Sequence, residues 1–189
     1  SALVFNTGYS KKGFGIDATF RRLENMSFFS DREQEGNLYN QQVLNYIPSL
    51  TKQHDYSLTN IYVYQAQPKL SYNPIGKSGE IGAQFDVYYN IKKGTSLGGK
   101  YGTKLAFNYA TWYGLDAKYN IVDRTYSSEF FSFGKKYFTD TNLEVRKKWS
   151  KQWASIFTFT NLFYNKRYVE ETIGNVNATI LVAESTYKI

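Results

Sequence analysis

Cysteine is missing from this chain of 189 residues, and histidine occurs once, at His54. Without thiols there is no disulfide framework, no thiolate metal site and no cysteine nucleophile. A single imidazole also excludes a metal cluster built from several histidines of this chain. Proline is scarce, with Pro48, Pro68 and Pro74 the only three. No run approaches the roughly eighteen apolar residues that a membrane helix needs. The opening Ser1-Ala2-Leu3-Val4 shows no charged-then-apolar leader, which leaves secretion open.

What the chain has in excess is aromatic side chains and positive charge. Its 18 Tyr, 14 Phe and 3 Trp outnumber all of its Leu, Ile and Val, and 23 Lys and Arg against 16 Asp and Glu give a formal charge of +7. Aliphatics usually lead a water-facing protein's core, so the aromatic surplus calls for its own explanation.

The hydrophobic period is two. Ile81, Ala83, Phe85, Val87, Tyr89 and Ile91 alternate with Glu80, Gly82, Gln84, Asp86, Tyr88 and Asn90, which predicts a long strand with one apolar and one polar face. The same alternation marks 14–21, 104–113 and 142–149, and weaker extended candidates lie at 2–10, 22–30, 38–47, 55–66, 115–122, 126–134, 152–164 and 175–187. No window carries a helical stripe, although 38–47 also reads as a short helix or a loop. The glycine-rich stretch 92–102 and the tight Trp149-Ser150-Lys151-Gln152-Trp153 connection fall where a meander places its turns. No composition break divides the chain, so 1–189 is expected to be one domain or part of one.

Three architectures can use such strands: a water-facing sandwich or small barrel, a solenoid of short strands, and a transmembrane barrel with its apolar side chains outward. Strand length, the mixed charged and amide character of the opposite face, aromatics near strand ends and the need to hide sheet edges favour the transmembrane barrel. The expected fold is therefore an all-β antiparallel meander forming a transmembrane β-barrel or a segment of a larger one. On that scheme Ile81, Phe85, Val87, Ile91, Leu105, Phe107, Leu143 and Val145 face lipid. Tyr89, Tyr113, Trp149 and Trp153 form an aromatic girdle, and Glu80, Asp86, Lys104, Glu144 and Arg146 face a lumen. Lys147 shares the apolar parity and is tolerable only near a turn, where it can snorkel, or at a bulge. The strand at 152–164 has two apolar faces, and its parity stays open.

The run Gly79-Glu80-Ile81-Gly82-Ala83-Gln84-Phe85-Asp86-Val87-Tyr88-Tyr89, followed by Leu97-Gly98-Gly99-Lys100-Tyr101-Gly102-Thr103-Lys104-Leu105, resembles large outer-membrane β-barrels of the Bacteroidota. Within them it is most similar to a family without assigned function. The Asn- and Tyr-rich style of 161–168 resembles the same group. That resemblance implies an outer-membrane location and a barrel architecture, and no catalytic motif. Basic side chains at a barrel rim would meet outer-membrane lipid phosphates or lipopolysaccharide, and such a barrel could join other outer-membrane proteins or lipoproteins in an assembly.

Chemistry is sparse. Glu33 with Glu35 and Glu170 with Glu171 read as loop charges, because nothing holds an acid and a base at a fixed separation. His54 beside Asp55 lacks a nucleophile elbow. The glycines at 94–102 lack phosphate-loop spacing and a following helix. Basic doublets such as Lys92-Lys93 and Arg146-Lys147-Lys148 are spread over many hairpins, which speaks against nucleic acid. The expectation is a protein without enzymatic activity and without a cofactor, acting as a structural barrel, a solute passage or the membrane component of an assembly. The alternative is an exported, soluble β-sandwich that binds carbohydrate through exposed aromatics.

Overall fold

The alternating segments fold as nine strands in the computed structural model, which describes residues 1–26, 64, 66–67, 76–120, 122–123 and 125–189. The strands are β1 (Ala2–Lys11), β2 (Phe14–Glu24), β3 (Gly79–Ile91), β4 (Thr103–Gly114), β5 (Ala117–Asn120), β6 (Thr125–Ser128), β7 (Lys136–Lys148), β8 (Trp153–Tyr164) and β9 (Val176–Tyr187). One four-residue helix, α1 (Lys166–Val169), is capped by the Asn165 side chain, which accepts from the Tyr168 amide. The candidates at 38–47 and most of 55–66 lie outside the described residues, as do His54, Glu33, Glu35 and all three prolines.

Seven strands form one antiparallel sheet in the order β1-β2-β3-β4-β7-β8-β9, and β5 pairs with β6 in a separate two-stranded sheet. The seven-stranded sheet is open: β1 and β9 are its edges, and neither sheet closes or curls into a barrel. This overturns the expected transmembrane β-barrel. Strands can cross hydrocarbon only when every backbone N–H and C=O is paired, and among strands only a closed barrel pairs them all. The outer-membrane location, the porin-like character and the solute-passage reading rested on closure and fall with it. The architecture is all-β and antiparallel, with two unclosed sheets, which fits a sandwich-type domain better.

The long strands keep their register. Asp17, Asp86, Asn108, Asn142 and Thr160 lie in one row across β2, β3, β4, β7 and β8, on the polar face. Phe85, Tyr109, Thr141 and Asn161 form a row on the opposite, apolar face. The polar face is the buried one. Asn108 and Asn142 are 1% exposed, whereas Phe85, Phe107, Leu143 and Phe157 on the apolar face are 40–46% exposed. Burial of amides is tolerable because they satisfy one another. Asp86 accepts from Gln84 and Asn108 at 2.7 Å each, Asn142 donates to Asp140 at 2.7 Å, and Thr160 donates to Asn142 at 2.7 Å.

The open parity of 152–164 is resolved by the pairing of β7 with β8. Trp153, Phe157 and Phe159 share the apolar face, and Ile156, Thr158, Thr160 and Leu162 the polar one. No bulge occurs at Lys147, whose pairing with Thr103 and Ser155 is regular. Its Nζ turns to the neighbouring loop, donating to the Leu97 carbonyl at 2.6 Å and to Thr103 Oγ1 at 2.8 Å.

Two glycines let aromatic and cationic side chains lie flat across the sheet. Gly82 separates Arg21 of β2 from Trp112 of β4. With no side chain between them, the Arg21 guanidinium reaches 4.6 Å from the Trp112 ring. A Cβ on Gly82 would stand 2.3 Å from that indole and 2.2 Å from the Thr111 carbonyl oxygen. Gly15 likewise admits the Tyr88 ring, whose hydroxyl lies 3.1 Å from Ser10 Oγ on β1. Replacing Gly82 by valine forces both neighbours aside, and an overpacking cost of about 1–3 kcal/mol is expected. A urea titration should show a lowered midpoint with an unchanged slope.

Candidate functional site

Two clusters of charged and aromatic side chains sit at opposite ends of the long strands. At the first, Glu80 is fully buried and meets Arg21 through Nη2 at 2.6 Å and Nε at 2.9 Å. Its other oxygen accepts from the Tyr64 hydroxyl and, at 2.8 Å, from the Gln67 amide. Tyr64 stacks on Trp112, with ring planes 2° apart and centroids at 6.0 Å, and also on Phe138. Burial first, and then the Glu80 charge, hold both the Tyr64 and Tyr137 hydroxyls well above the usual phenol range. Neither phenol ionises near neutrality, so neither can serve as a base there. The carboxylate is saturated with donors and shielded from water, which makes this cluster a structural anchor.

Beside it, β2 holds down the segment that follows β6. Arg22 donates to the Phe130 carbonyl at 2.9 Å and pairs with Glu24 at 3.0 Å, while Ser128 donates to Glu24. Phe131 meets Phe20, and Phe133 meets Tyr113 edge-on. Burial pushes the Glu24 carboxyl up, but hydrogen bonds from Ser128, Arg22 and Ser1 and the Arg22 charge outweigh it, and its pKa falls from 4.5 to about 2.

The second cluster lies around the turns joining β3 to β4 and β7 to β8. The β3–β4 loop is pinned by its own groups: Thr95 Oγ1 donates to the Lys92 carbonyl at 2.8 Å and accepts from Gly98 N at 3.0 Å, and Gly94 N donates to Gly99 O at 2.7 Å. The β7–β8 turn is closed by Trp149 N donating to Trp153 O at 3.0 Å, with the two indoles stacked at 5.5 Å. Between these turns opens a cleft of about 430 Å³, whose lining includes Asn90, Lys93, Tyr101, Lys104, Arg146 and Lys148. Ala154 and Ile156 supply apolar floor. Lys148 Nζ lies 5.2 Å from the Tyr101 ring centre. Arg146 is held by Glu144 at 2.6 Å. Such a volume suits a small ligand or a few units of a chain.

The residues expected to face a lumen are dispersed. Glu80 belongs to the buried anchor and Asp86 to the amide row, while Lys104 and Arg146 line the cleft and Glu144 orients Arg146. Of the residues expected to face lipid, Phe85, Phe107 and Leu143 are exposed, and Val87, Ile91, Leu105 and Val145 are half-buried. Ile81 is fully buried, between Arg22 and Tyr113 in its row, where Phe130 and Phe133 pack. Tyr89, Trp149 and Trp153 are exposed near the cleft end, but Tyr113 lies at the other end, against Phe133. Sequence reasoning missed Arg21, Tyr64 and Trp112 as a unit. No sequence signal marked it, because only the pairing of β2, β3 and β4 sets Gly82 between Arg21 and Trp112. A hollow of about 320 Å³ on the apolar face, lined by Leu143, Val145, Phe157, Phe159, Leu181 and Ala183, offers shape but no charged anchor. Among the described residues no group of three His, Asp or Glu could hold a metal ion.

A family model matches residues 1–189, and the chain belongs to that family, described as a family of unknown function (DUF6029). Neither a curated protein nor a solved structure matches the chain. The membership brings no barrel with it, and the resemblance to outer-membrane barrels of the Bacteroidota is not upheld against the unclosed sheet.

Two outcomes are expected. Glu80→Ala removes the buried carboxylate that pairs with Arg21 and should cost about 3–5 kcal/mol. In a double-mutant cycle by chemical denaturation, adding Arg21→Ala should cost much less than it does alone. For Glu24, the native state binds its proton less readily than the unfolded chain. Its contribution is therefore complete above pH 4.5 and is lost as the pH falls toward about 2. Thermal melts over that window should fall more steeply for the parent than for Glu24→Gln.

Proposed function

We propose that this chain is a carbohydrate-binding β-domain that acts by recognition and not by catalysis. The observation that carries this reading is the cleft between the two turns, where the Tyr101 ring stands among hydrogen-bonding side chains on a rigid sheet. Sugars present hydroxyl edges and C–H faces. Asn90, on the same face as Lys104, Arg146 and Ile156, can meet the first, and the tyrosine ring and Ile156 the second. The cleft is open, as binding to the middle or end of a chain requires, and its walls are strands and a self-bonded loop, so little order has to be imposed on binding. The use of the carboxylates supports the choice of recognition over catalysis. Among the described residues Glu80 and Glu144 are each committed to an arginine, and Asp86 to two amides.

The test is a panel of neutral and acidic oligosaccharides titrated into the intact chain by calorimetry. At least one should bind, and Tyr101→Ala should weaken it about tenfold, the equivalent of about 1.4 kcal/mol. Binding of no saccharide, or binding indifferent to Tyr101, overturns the reading.

A further inference from the structure

The cleft is strongly one-signed, and from this we infer that its ligand is an anionic saccharide, one bearing carboxylate or phosphate groups. The inference rests on the carbohydrate reading above and adds the charge of what is bound. Lys93, Lys104, Arg146 and Lys148 line the cleft and no carboxylate does, while Lys147, in the next row, turns its ammonium to the opposite face of the sheet. They differ in what they already do. Arg146 is committed to Glu144, and Lys147 donates to the Leu97 carbonyl and to Thr103. Lys93, Lys104 and Lys148 make no ion pair with the described residues. The other nearby acid, Glu184, lies on the same cross-strand row as Arg146 but is separated from it by Ile156.

Three unpaired ammonium groups around one hollow repel each other, and the repulsion is screened only over about 8–10 Å at moderate salt. An anion in the cleft relieves that repulsion and gains attraction from all three. Specificity for a sugar anion over a bare ion comes from the rest of the lining. Tyr101 is flanked by Lys100 at 5.9 Å and Lys148 at 5.2 Å from its ring centre, so a sugar ring stacked on the tyrosine would place its acidic substituent beside an ammonium group. Asn90 and Lys104 are direct cross-strand partners, and Lys104 also pairs across to Arg146. This sets an amide and two cations in one line along which successive units can be read.

Such a saccharide reaches the cleft either as a free acidic glycan or as the headgroup of a glycolipid, and the experiment separates the two. A short oligogalacturonate and an uncharged oligosaccharide of the same length are titrated into the intact chain at low and high salt, with the parent and Lys104→Glu/Lys148→Glu. The oligogalacturonate is expected to bind, to weaken at least about tenfold at high salt and at least about tenfold in the double variant, with circular dichroism unchanged. The neutral oligosaccharide is expected to bind much more weakly. Dispersed lipopolysaccharide is then added as competitor. Displacement assigns the site to lipid-borne headgroups as well, and failure to displace assigns it to free glycans, both upholding the anionic chemistry. Equal affinity for the neutral oligosaccharide, or an oligogalacturonate affinity indifferent to salt and to charge reversal, overturns the inference while leaving the carbohydrate reading in place. Binding of neither overturns both.

Discussion

A carboxylate without water is a heavy burden on a protein, and Glu80 is tolerable only because Arg21 meets it edge-on while Tyr64 and Gln67 fill its remaining lone pairs. The contact fixes more than one charge. Arg21 comes from β2, Glu80 from β3 and the stacked Trp112 from β4, so one guanidinium joins three neighbouring strands. Tyr64 links residues far apart in sequence to the same point, and Phe138 and Tyr164 extend the aromatic cluster into β7 and β8. The sheet is consequently anchored at one end. The other end, where turns and lysines gather, is built for contact with something else.

That division of labour explains how the charge is placed. At the anchor the two arginines are neutralised, Arg21 by Glu80 and Arg22 by Glu24, whereas Lys135 and Lys136 at the same end make no ion pair with the described residues. Near the cleft several stay unbalanced, and the formal excess of +7 is partly concentrated there. The faces are sorted as well, with the amide row buried and the phenylalanine row in the open. Exposed apolar surface on this scale ordinarily marks a place of contact.

Most long strands were legible in the sequence through their period of two, but the candidate at 126–134 shrinks to β6 and the first six residues of β7 were not foreseen. β3, β4, β8 and β9 lie within a residue or two of where alternation puts them. The helical turn at 166–169 carries no stripe to find, since four residues cannot show a period of 3.6. Closure was not legible. Alternation says which face each side chain takes, but whether β1 and β9 meet depends on how the sheet twists across all seven strands, and no local pattern encodes that. The cleft was half legible. Lys104, Arg146 and the loop at 94–102 drew notice as charges and glycines, yet only pairing of β4 with β7 brings them together with Tyr101. The Arg21–Glu80 anchor was hidden for the same reason, its partners being 59 residues apart.

The side-chain-free positions within β2 and β3 have one more effect. Sliding a strand past its neighbour by one residue turns every side chain to the wrong face and is forbidden by polarity alone. Sliding by two keeps the faces correct, and in a sheet this repetitive polarity offers no objection. The notches do. Moved by two in one direction, the Tyr88 ring would find Asp17 in place of Gly15, and moved by two either way Arg21 would no longer lie opposite the gap at Gly82. A pair of missing side chains thus acts as a key in a lock, choosing one alignment among several that hydrophobicity would accept equally.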